Sequence, residues 1–201
     1  LRERIADSRG ELSLLAWISD SRILVGLQEY PNSSRKTNEI AVLDIPSGEM
    51  KPIHHPIYTF PFLDYALTRD ASLLAFKDGN KPHDICGVIR ILDVGTGAVR
   101  ATLGNGDELM SMPCWNPEGS ELAYIEGCKL RIWTAADNTT RILRHFPDVV
   151  TCYNLVFGAG MVGYVKGGLL GWSVFESLVI VDSRNGATLR TSREPFNGGI
   201  F

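Results

Sequence analysis

The feature that most constrains this chain is a sequence repeat with a pitch of about 40 to 50 residues. An apolar triplet that follows a turn occurs four times, starting at Leu24, Leu74, Leu122 and Val162. A second pattern, an apolar run followed by a polar residue and a tight turn, recurs at a similar pitch, anchored at Asp44, Asp93, Thr134 and Asp182. Because two landmarks share one pitch, the chain is predicted to contain four similar units.

Each unit is predicted to form four short antiparallel strands, here called A to D. In the third unit these strands are Ser111–Trp115, Glu121–Glu126, Lys129–Thr134 and Thr140–His145. The segment Asn116-Pro117-Glu118-Gly119 joins strands A and B, because proline presets φ and glycine relieves strain at the end of the turn. The turns between strands C and D contain Gly or Asn, which tolerate the positive φ of tight hairpins.

Four-stranded units repeated at this pitch are typical of the blades of a β-propeller. A single sheet of this kind leaves both apolar faces in water, so neighbouring sheets must stack face to face. No convincing amphipathic helix separates the strands, which argues against a parallel α/β fold. The predicted fold is all-β, a β-propeller of about four four-stranded antiparallel blades. The approximate blades are 11–54, 60–103, 109–146 and 150–193.

The A–B pattern of the third unit carries a family resemblance. Its residues 115–124, WNPEGSELAY, resemble the Trp-Ser-Pro-Asp-Gly-x-x-Ile-Ala-Phe signature of TolB-like propeller repeats. The second unit keeps this frame without the proline and glycine, and the other two units diverge further. WD-repeat propellers are also similar, but their paired Gly-His and Trp-Asp marks are absent. The resemblance implies a propeller, slightly favours a periplasmic or extracellular location, and leaves the function open because such blades serve many unrelated proteins.

Both ends of the chain resemble parts of further blades. Residues 1–5 are similar to an extra strand D, and residues 194–201 are similar to the approach to another strand A. The resemblance to TolB-like propellers implies a ring of about six or more blades. The chain is therefore expected to be an arc of a larger propeller. A complete small ring is the alternative. An open arc would expose two blade faces, and is expected to self-associate or to join a further part of the same propeller.

Composition argues against several classes of function. The formal net charge of −3 gives no basic field for nucleic acid. The most apolar region, Leu155–Val181, is interrupted by Lys166 and Glu176. Two buried strands therefore explain it better than a membrane span, which needs about 20 apolar residues. The spacing of the cysteines matches no common zinc site. They are predicted to be buried free thiols, with a disulfide as the alternative: Cys86, Cys114, Cys128 and Cys152.

The candidate binding surface consists of the long loops between strands B and C. The distance between the B and C anchors is about 20 residues in three repeats and about 12 in the third. The long loops, Gln28–Asn38, Lys77–Gly87 and Lys166–Ser177, are expected to lie on one face of the propeller. The candidate partner contacts in them are Tyr30, Pro31, His83, Asp84, Trp172 and Phe175. Aromatic side chains are favoured anchors in protein interfaces; the alternative is that they pack onto their own blades.

Other reactive side chains are given structural interpretations. A set of polar residues is interpreted as a hydrated loop rather than a metal site: Asp78, Asn80, His83 and Asp84. Adjacent His54 and His55 point to opposite sides of a strand and cannot easily share one ion. Four aromatic residues are predicted to pack between blades: Trp17, Trp115, Trp133 and Tyr124. No metal, cofactor or catalytic constellation is predicted.

The predicted function is that of a non-catalytic β-propeller scaffold, which mediates protein–protein interaction through the long loops on one face. The alternative is a substrate-gating propeller domain of a larger enzyme, such as a prolyl-oligopeptidase-like serine hydrolase whose catalytic part lies outside these residues. A third possibility, a propeller lyase or glycosidase, requires several carboxylates or histidines that converge on a central channel. The histidines of this chain fall in different strand and loop contexts.

Overall fold

The computed structural model describes residues 10–29, 38–56, 65–79, 86–108, 110, 113–146, 151–167 and 177–192. Within these ranges the secondary structure consists of sixteen strands, and no helix is present. The same ranges accordingly contain no helix with the length and apolar character needed to cross a membrane. The fold prediction is confirmed: the protein is an all-β chain of four-stranded antiparallel sheets.

The strands form four sheets, and in each sheet the spatial order of the strands follows their order in the chain. The first sheet contains β1 (Gly10–Ser19), β2 (Arg22–Glu29), β3 (Asn38–Asp44) and β4 (Met50–His54). The second contains β5 (Tyr65–Leu67), β6 (Leu73–Asp78), β7 (Val88–Asp93) and β8 (Val99–Leu103). The third contains β9 (Cys114–Trp115), β10 (Glu121–Glu126), β11 (Lys129–Thr134) and β12 (Thr139–His145). The fourth contains β13 (Thr151–Gly158), β14 (Met161–Gly167), β15 (Ser177–Asp182) and β16 (Thr188–Ser192).

The four sheets belong to two compact units, Leu1–Asp107 and Glu108–Phe201. The first unit contains the first and second sheets, and the second unit contains the third and fourth sheets. Inside each unit, one sheet packs a face against its neighbour. We call the face that a sheet turns to the next sheet its trailing face, and the opposite face its leading face.

The core of each unit lies between a trailing face and a leading face. In the second unit, Ala123 and Ile132 on the trailing face of the third sheet pack against Val162 and Tyr164 on the leading face of the fourth. In the first unit, Leu24 and Ile40 pack in the same way against Leu74, Phe76 and Leu92. Strand β10 is buried almost throughout. The outer strands β4 and β16 are mostly exposed.

Hydrogen bonds between turns fix the equivalent positions in the repeats. The amide of Ile45 donates to the carbonyl of Ser21, and the amide of Val94 donates to the carbonyl of Ser72. Ser21 is therefore equivalent to Ser72, so the residue that corresponds to Leu74 is Ile23. The sequence alignment had placed Leu24 there, one residue too late. The error arose because the first repeat has a continuous apolar run in which no alternation marks the register.

Three of the four aromatic residues predicted to lie in the core are buried. Trp115 and Trp133 meet edge to face with ring centroids 5.9 Å apart, and Tyr124 lies in the same sheet. Trp17 is 61% exposed, so the prediction for this residue was wrong. It pairs with Ile23 on the leading face of the first sheet. The apolar cluster on that face contains described residues of the first sheet alone.

Candidate functional site

The predicted partner contacts cannot be compared with the structure. Tyr30, Pro31, His83, Asp84, Trp172 and Phe175 all lie outside the described residues. Asp78, at the start of one long loop, is described, and so are the strand ends from which each loop leaves its sheet. These strand ends show which chemistry surrounds the base of the loops.

A buried ion pair joins strands B and C of the second sheet where the long loop begins. Nε of Arg90 lies 2.6 Å from Oδ2 of Asp78, and Asp78 is only 2% exposed. Arg90 is the cross-strand partner of Phe76. It therefore shares a face with Asp78, two residues further along the strand. Because a buried carboxylate requires a compensating charge, Asp78 has a structural role here and does not belong to a described metal site.

The third sheet carries the same pair at the equivalent positions. Nε of Arg131 lies 2.5 Å from Oε2 of Glu126. The Nε–H group is buried and makes no directed hydrogen bond, so the contact is an ion pair. The corresponding residues of strand C in the first and fourth sheets are Ala41 and Val179, which carry no charge. Among the described residues, this ion pair is therefore found in the second and third sheets.

The adjacent histidines lie in different surroundings. The ring of His54 packs on Phe76 with centroids 5.4 Å apart, and burial lowers the pKa of His54 although the charge of Asp78 acts in the opposite direction. His55 is 63% exposed and its Nδ1 lies 3.9 Å from the carboxylate of Glu39. Two histidines with such different contacts do not form a common metal site.

The aspartates that end strand C stabilise the C–D turns. Asp93 accepts hydrogen bonds from the amide and hydroxyl of Thr96, and it pairs with Arg100 at 2.8 Å. The bonds from Arg100 and Thr96 lower the pKa of Asp93 to about 2. Asp182 is held in the same way by Arg184, which lowers its pKa to about 2. These carboxylates are ionised and engaged in the turns, so neither is suited to serve as a general acid near neutral pH.

Metal and thiol chemistry also has no assembled site in the described part of the chain. Its histidine, cysteine, aspartate and glutamate side chains form no group of three or more that could hold a metal ion. Cys114 and Cys128 are free thiols. Burial raises the pKa of the Cys114 thiol, which reduces its reactivity. Sequence reasoning had left free thiols and a disulfide open; for these two residues the free thiol is observed.

A cavity that sequence reasoning missed lies between the first and second sheets. Its volume is about 440 Å³, within the range of about 300–1,000 Å³ that is usual for small-ligand sites. It opens at the edge that carries the A–B and C–D turns, opposite the edge with the long loops. Its lining residues are Ile18, Arg22, Val42, Asp44, Glu49, Lys51, Ile53, Ala71, Ser72, Asp93, Val94 and Gly95. We call this cavity the turn-edge groove.

An arginine lies at the equivalent place in the second unit. Nη2 of Arg141 donates to the carbonyl of Ser183 at 2.7 Å, and Nη1 donates to the carbonyl of Arg184 at 3.5 Å. The same guanidinium lies 3.4 Å from Oε1 of Glu121. The residue at this register position in the first unit is Lys51. The sequence shows both residues, but the effect of having a lysine at one position and an arginine at the other depends on contacts between sheets.

Comparisons with known proteins agree on the fold. No family model matches the sequence, and the search of curated proteins found no match. Among solved structures, the chain is similar to a prolyl endopeptidase (TM-score 0.63, 13% identity), covering 93% of this chain and 32% of that one. It is also similar to the tricorn protease (TM-score 0.65, 8% identity), covering 88% of this chain and 22% of that one. A third similar structure is an uncharacterized protein from Listeria monocytogenes EGD-e (TM-score 0.60, 13% identity), covering 92% of this chain and 54% of that one.

At these levels of identity the similarity shows the fold alone. The matching parts of the two proteases are β-propeller domains, and the chain spans about a third or less of either protease. The four sheets are therefore blades of the β-propeller kind.

Proposed function

We propose that this chain is part of a β-propeller that acts as a non-catalytic binding module, with the long B–C loops as its contact surface. The TolB-like repeat type belongs to this proposal, and so does the contact set in those loops: Tyr30, Pro31, His83, Asp84, Trp172 and Phe175. A propeller positions loops from several sheets at one edge, which suits recognition of a protein surface.

The observation that carries the proposal is the structural use of acidic side chains. Asp44, Asp93 and Asp182 stabilise C–D turns, and Asp78 and Glu126 pair with arginines at the loop bases. Hydrolytic and lyase sites need carboxylates or histidines that converge on a reacting atom. These five acidic groups instead stabilise the C–D turns and the bases of the loops.

Exposed apolar surface supports the assignment to a larger propeller. On the third sheet, Ala123 is 0% exposed because the fourth sheet covers that trailing face. On the trailing face of the fourth sheet, Val156 is 65% exposed and Met161 is 38% exposed. Val156 pairs with Gly163, the position equivalent to Ala123. We therefore infer that a further blade covers this face; self-association through it is the alternative.

The test uses purified chain with a tag and a partner recovered by affinity capture and then purified itself. Tyr30→Ala and Trp172→Ala are expected to weaken the measured affinity at least about tenfold, as for central interface aromatics. Leu189→Ala is the control, since Leu189 is exposed on the outer strand of the fourth sheet. If the loop variants bind as well as the control, the contact surface is elsewhere and the proposal is wrong.

A second candidate function is a propeller domain that limits substrate access in a larger protease. The similarity to a prolyl endopeptidase and to the tricorn protease favours this candidate. It requires a hydrolase domain in the parent protein. If such a domain is found, loop deletions in the parent should change the cleavage of long peptides while leaving a chromogenic dipeptide unaffected. A parent without hydrolase residues would exclude this candidate.

A further inference from the structure

The turn-edge groove has an arginine-filled counterpart inside the same molecule. In the second unit, the carbonyls of Ser183 and Arg184 receive the guanidinium of Arg141. The amide of Ser183 donates to Gly160, as the amide of Val94 donates to Ser72. Val94 and Gly95 are therefore equivalent to Ser183 and Arg184. Both line the turn-edge groove, so their carbonyls occupy the positions that accept the guanidinium in the second unit.

In the first unit these acceptor positions receive no donor from the described residues. Lys51 occupies the position of Arg141, opposite Val42. The described hydrogen bonds include none from the Lys51 ammonium and none to the Val94 or Gly95 carbonyl. A lysine also lacks the planar fork with which arginine contacts two acceptors at once. The first unit therefore has a groove at the place that the Arg141 guanidinium occupies in the other unit.

The walls of the groove suit the stem and the charge of an arginine side chain. The apolar part of the lining includes Ile18, Val42, Ile53 and Val94, against which methylene groups can pack. The lining contains three acidic residues and two basic ones, and one of the acidic residues, Asp93, is paired with Arg100: Arg22, Lys51, Asp44, Glu49 and Asp93.

The distribution of these charges also favours a cation. Arg22 lies opposite Asp44 in the sheet and lowers the pKa of that carboxylate, after the larger effect of its bonds from Ser47. Glu49 stands at the position of Thr139 in the second unit, five residues after the aspartate or threonine that ends strand C. It supplies a carboxylate to the groove, as Glu121 does beside Arg141.

We propose that the turn-edge groove binds the guanidinium of an arginine side chain presented by a partner protein, in the manner in which Arg141 is bound in the second unit. The site is independent of the long loops, which leave the sheets at the opposite edge. A peptide arginine is favoured over free arginine because the carboxylate of the free amino acid would meet a negatively charged lining.

The probe is N-acetyl-L-arginine methylamide, titrated into the isotope-labelled chain with amide shifts followed by NMR. Saturable shifts are expected at Ser72, Val94 and Gly95. The citrulline analogue, which is uncharged, and the glutamate analogue are expected to bind at least about tenfold more weakly. Equal binding of either analogue, tighter binding of free arginine, or no saturable shift would overturn the proposal.

Two variants connect the result to the groove. Arg22→Glu/Lys51→Arg transfers the residues of the second unit, and its own arginine is expected to fill the groove, raise the melting temperature and abolish probe binding. Glu49→Gln changes an exposed residue and is expected to weaken probe binding severalfold while the fold is retained. Unchanged affinity in a folded sample of either variant would contradict the assignment.

Discussion

The junction between the first two sheets and the junction between the last two have the same plan but different contents. Each packs a trailing face onto a leading face. The aromatic contact across the junction is His54 with Phe76 in one unit and Phe146 with Tyr164 in the other. At the turn edge, one junction has a groove and the other has Arg141. The shared plan resides in the backbone, whereas side chains decide whether a junction is closed or open.

The shared part of the plan includes a backbone contact made by a glycine of the C–D turn. A Cβ on Gly97 would meet the carbonyl oxygen of Ile53, and a Cβ on Gly186 would meet the carbonyl oxygen of Leu143. Ile53 and Leu143 are equivalent residues of strand D in the preceding sheet. Both glycines have positive φ, +75° and +72°. Each junction therefore brings two main chains into direct contact at one point.

The largest expected effect is that of Gly186→Ala. The substitution adds a clash with the Leu143 carbonyl to the left-handed backbone, and it should lower the free energy of unfolding by about 3 kcal/mol or more. Gly160→Ala is the matched control, because Gly160 has φ of +73° with open space around it. It should lose only about 1–2 kcal/mol. Urea denaturation measures both, and equal losses would show that the contact is unimportant.

Breaking an ion pair at the loop bases should have the next largest effect. Arg90→Leu leaves Asp78 buried without this cation, and a loss of about 2 kcal/mol is expected, less than for a fully buried pair because Arg90 is 26% exposed. The double variant Arg90→Leu/Asp78→Leu should recover much of that loss, since no lone charge remains. Arg131→Leu tests the same prediction in the other unit. A double variant no more stable than the single one would refute it.

Arg141→Lys should make the closed junction resemble the open one. Loss of the forked contact with two carbonyls should cost about 1 kcal/mol, since the side chain is partly exposed. Arg144→Lys serves as a control on the same strand, where a single exposed bond reaches Thr188. Its stability should change by less than about 0.5 kcal/mol. Thermal unfolding of the two variants gives the comparison.

The smallest effect concerns pH and the aromatic contact. Burial lowers the pKa of His54 below its usual 6.5, so the unfolded chain binds this proton more readily than the folded one. Its contribution to stability is present above about pH 6.5 and is lost as the pH falls through the folded pKa. His54→Phe keeps an aromatic ring against Phe76 but removes the titrating group, and it should flatten the stability profile in this window. His55→Gln should leave the profile as it is, and a reversed result would exclude His54 as the cause.

The repeat made the sheets predictable because its signals are local. Turn residues and the apolar triplet gave the bounds of β10 and β11 in full, and β12 begins one residue earlier than expected. The first repeat was aligned one residue too late, at Leu24 in place of Ile23, because its apolar residues continue without alternation. Trp17 was predicted to pack between blades, yet its exposure depends on which sheet covers its face. Local pattern carries no such information.

The groove could not be predicted for the same reason. In the sequence, Lys51 is an ordinary lysine on an outer strand. Its significance comes from the carbonyls of Val94 and Gly95, which belong to a turn of the next sheet. The relation between Lys51 and these carbonyls is recognised only when the two junctions are compared position by position. The loop aromatics Tyr30 and Trp172 remain predictions, as they lie outside the described residues.

The glycine-to-carbonyl contact has a consequence for how such a chain can change over evolutionary time. Where Gly97 and Gly186 touch the preceding strand, backbone atoms and not side chains limit how closely the two main chains approach. Side chains elsewhere in a junction can then change without altering this point of contact. Lys51 in one junction and Arg141 at the equivalent position of the other are an example of such a change in side-chain chemistry.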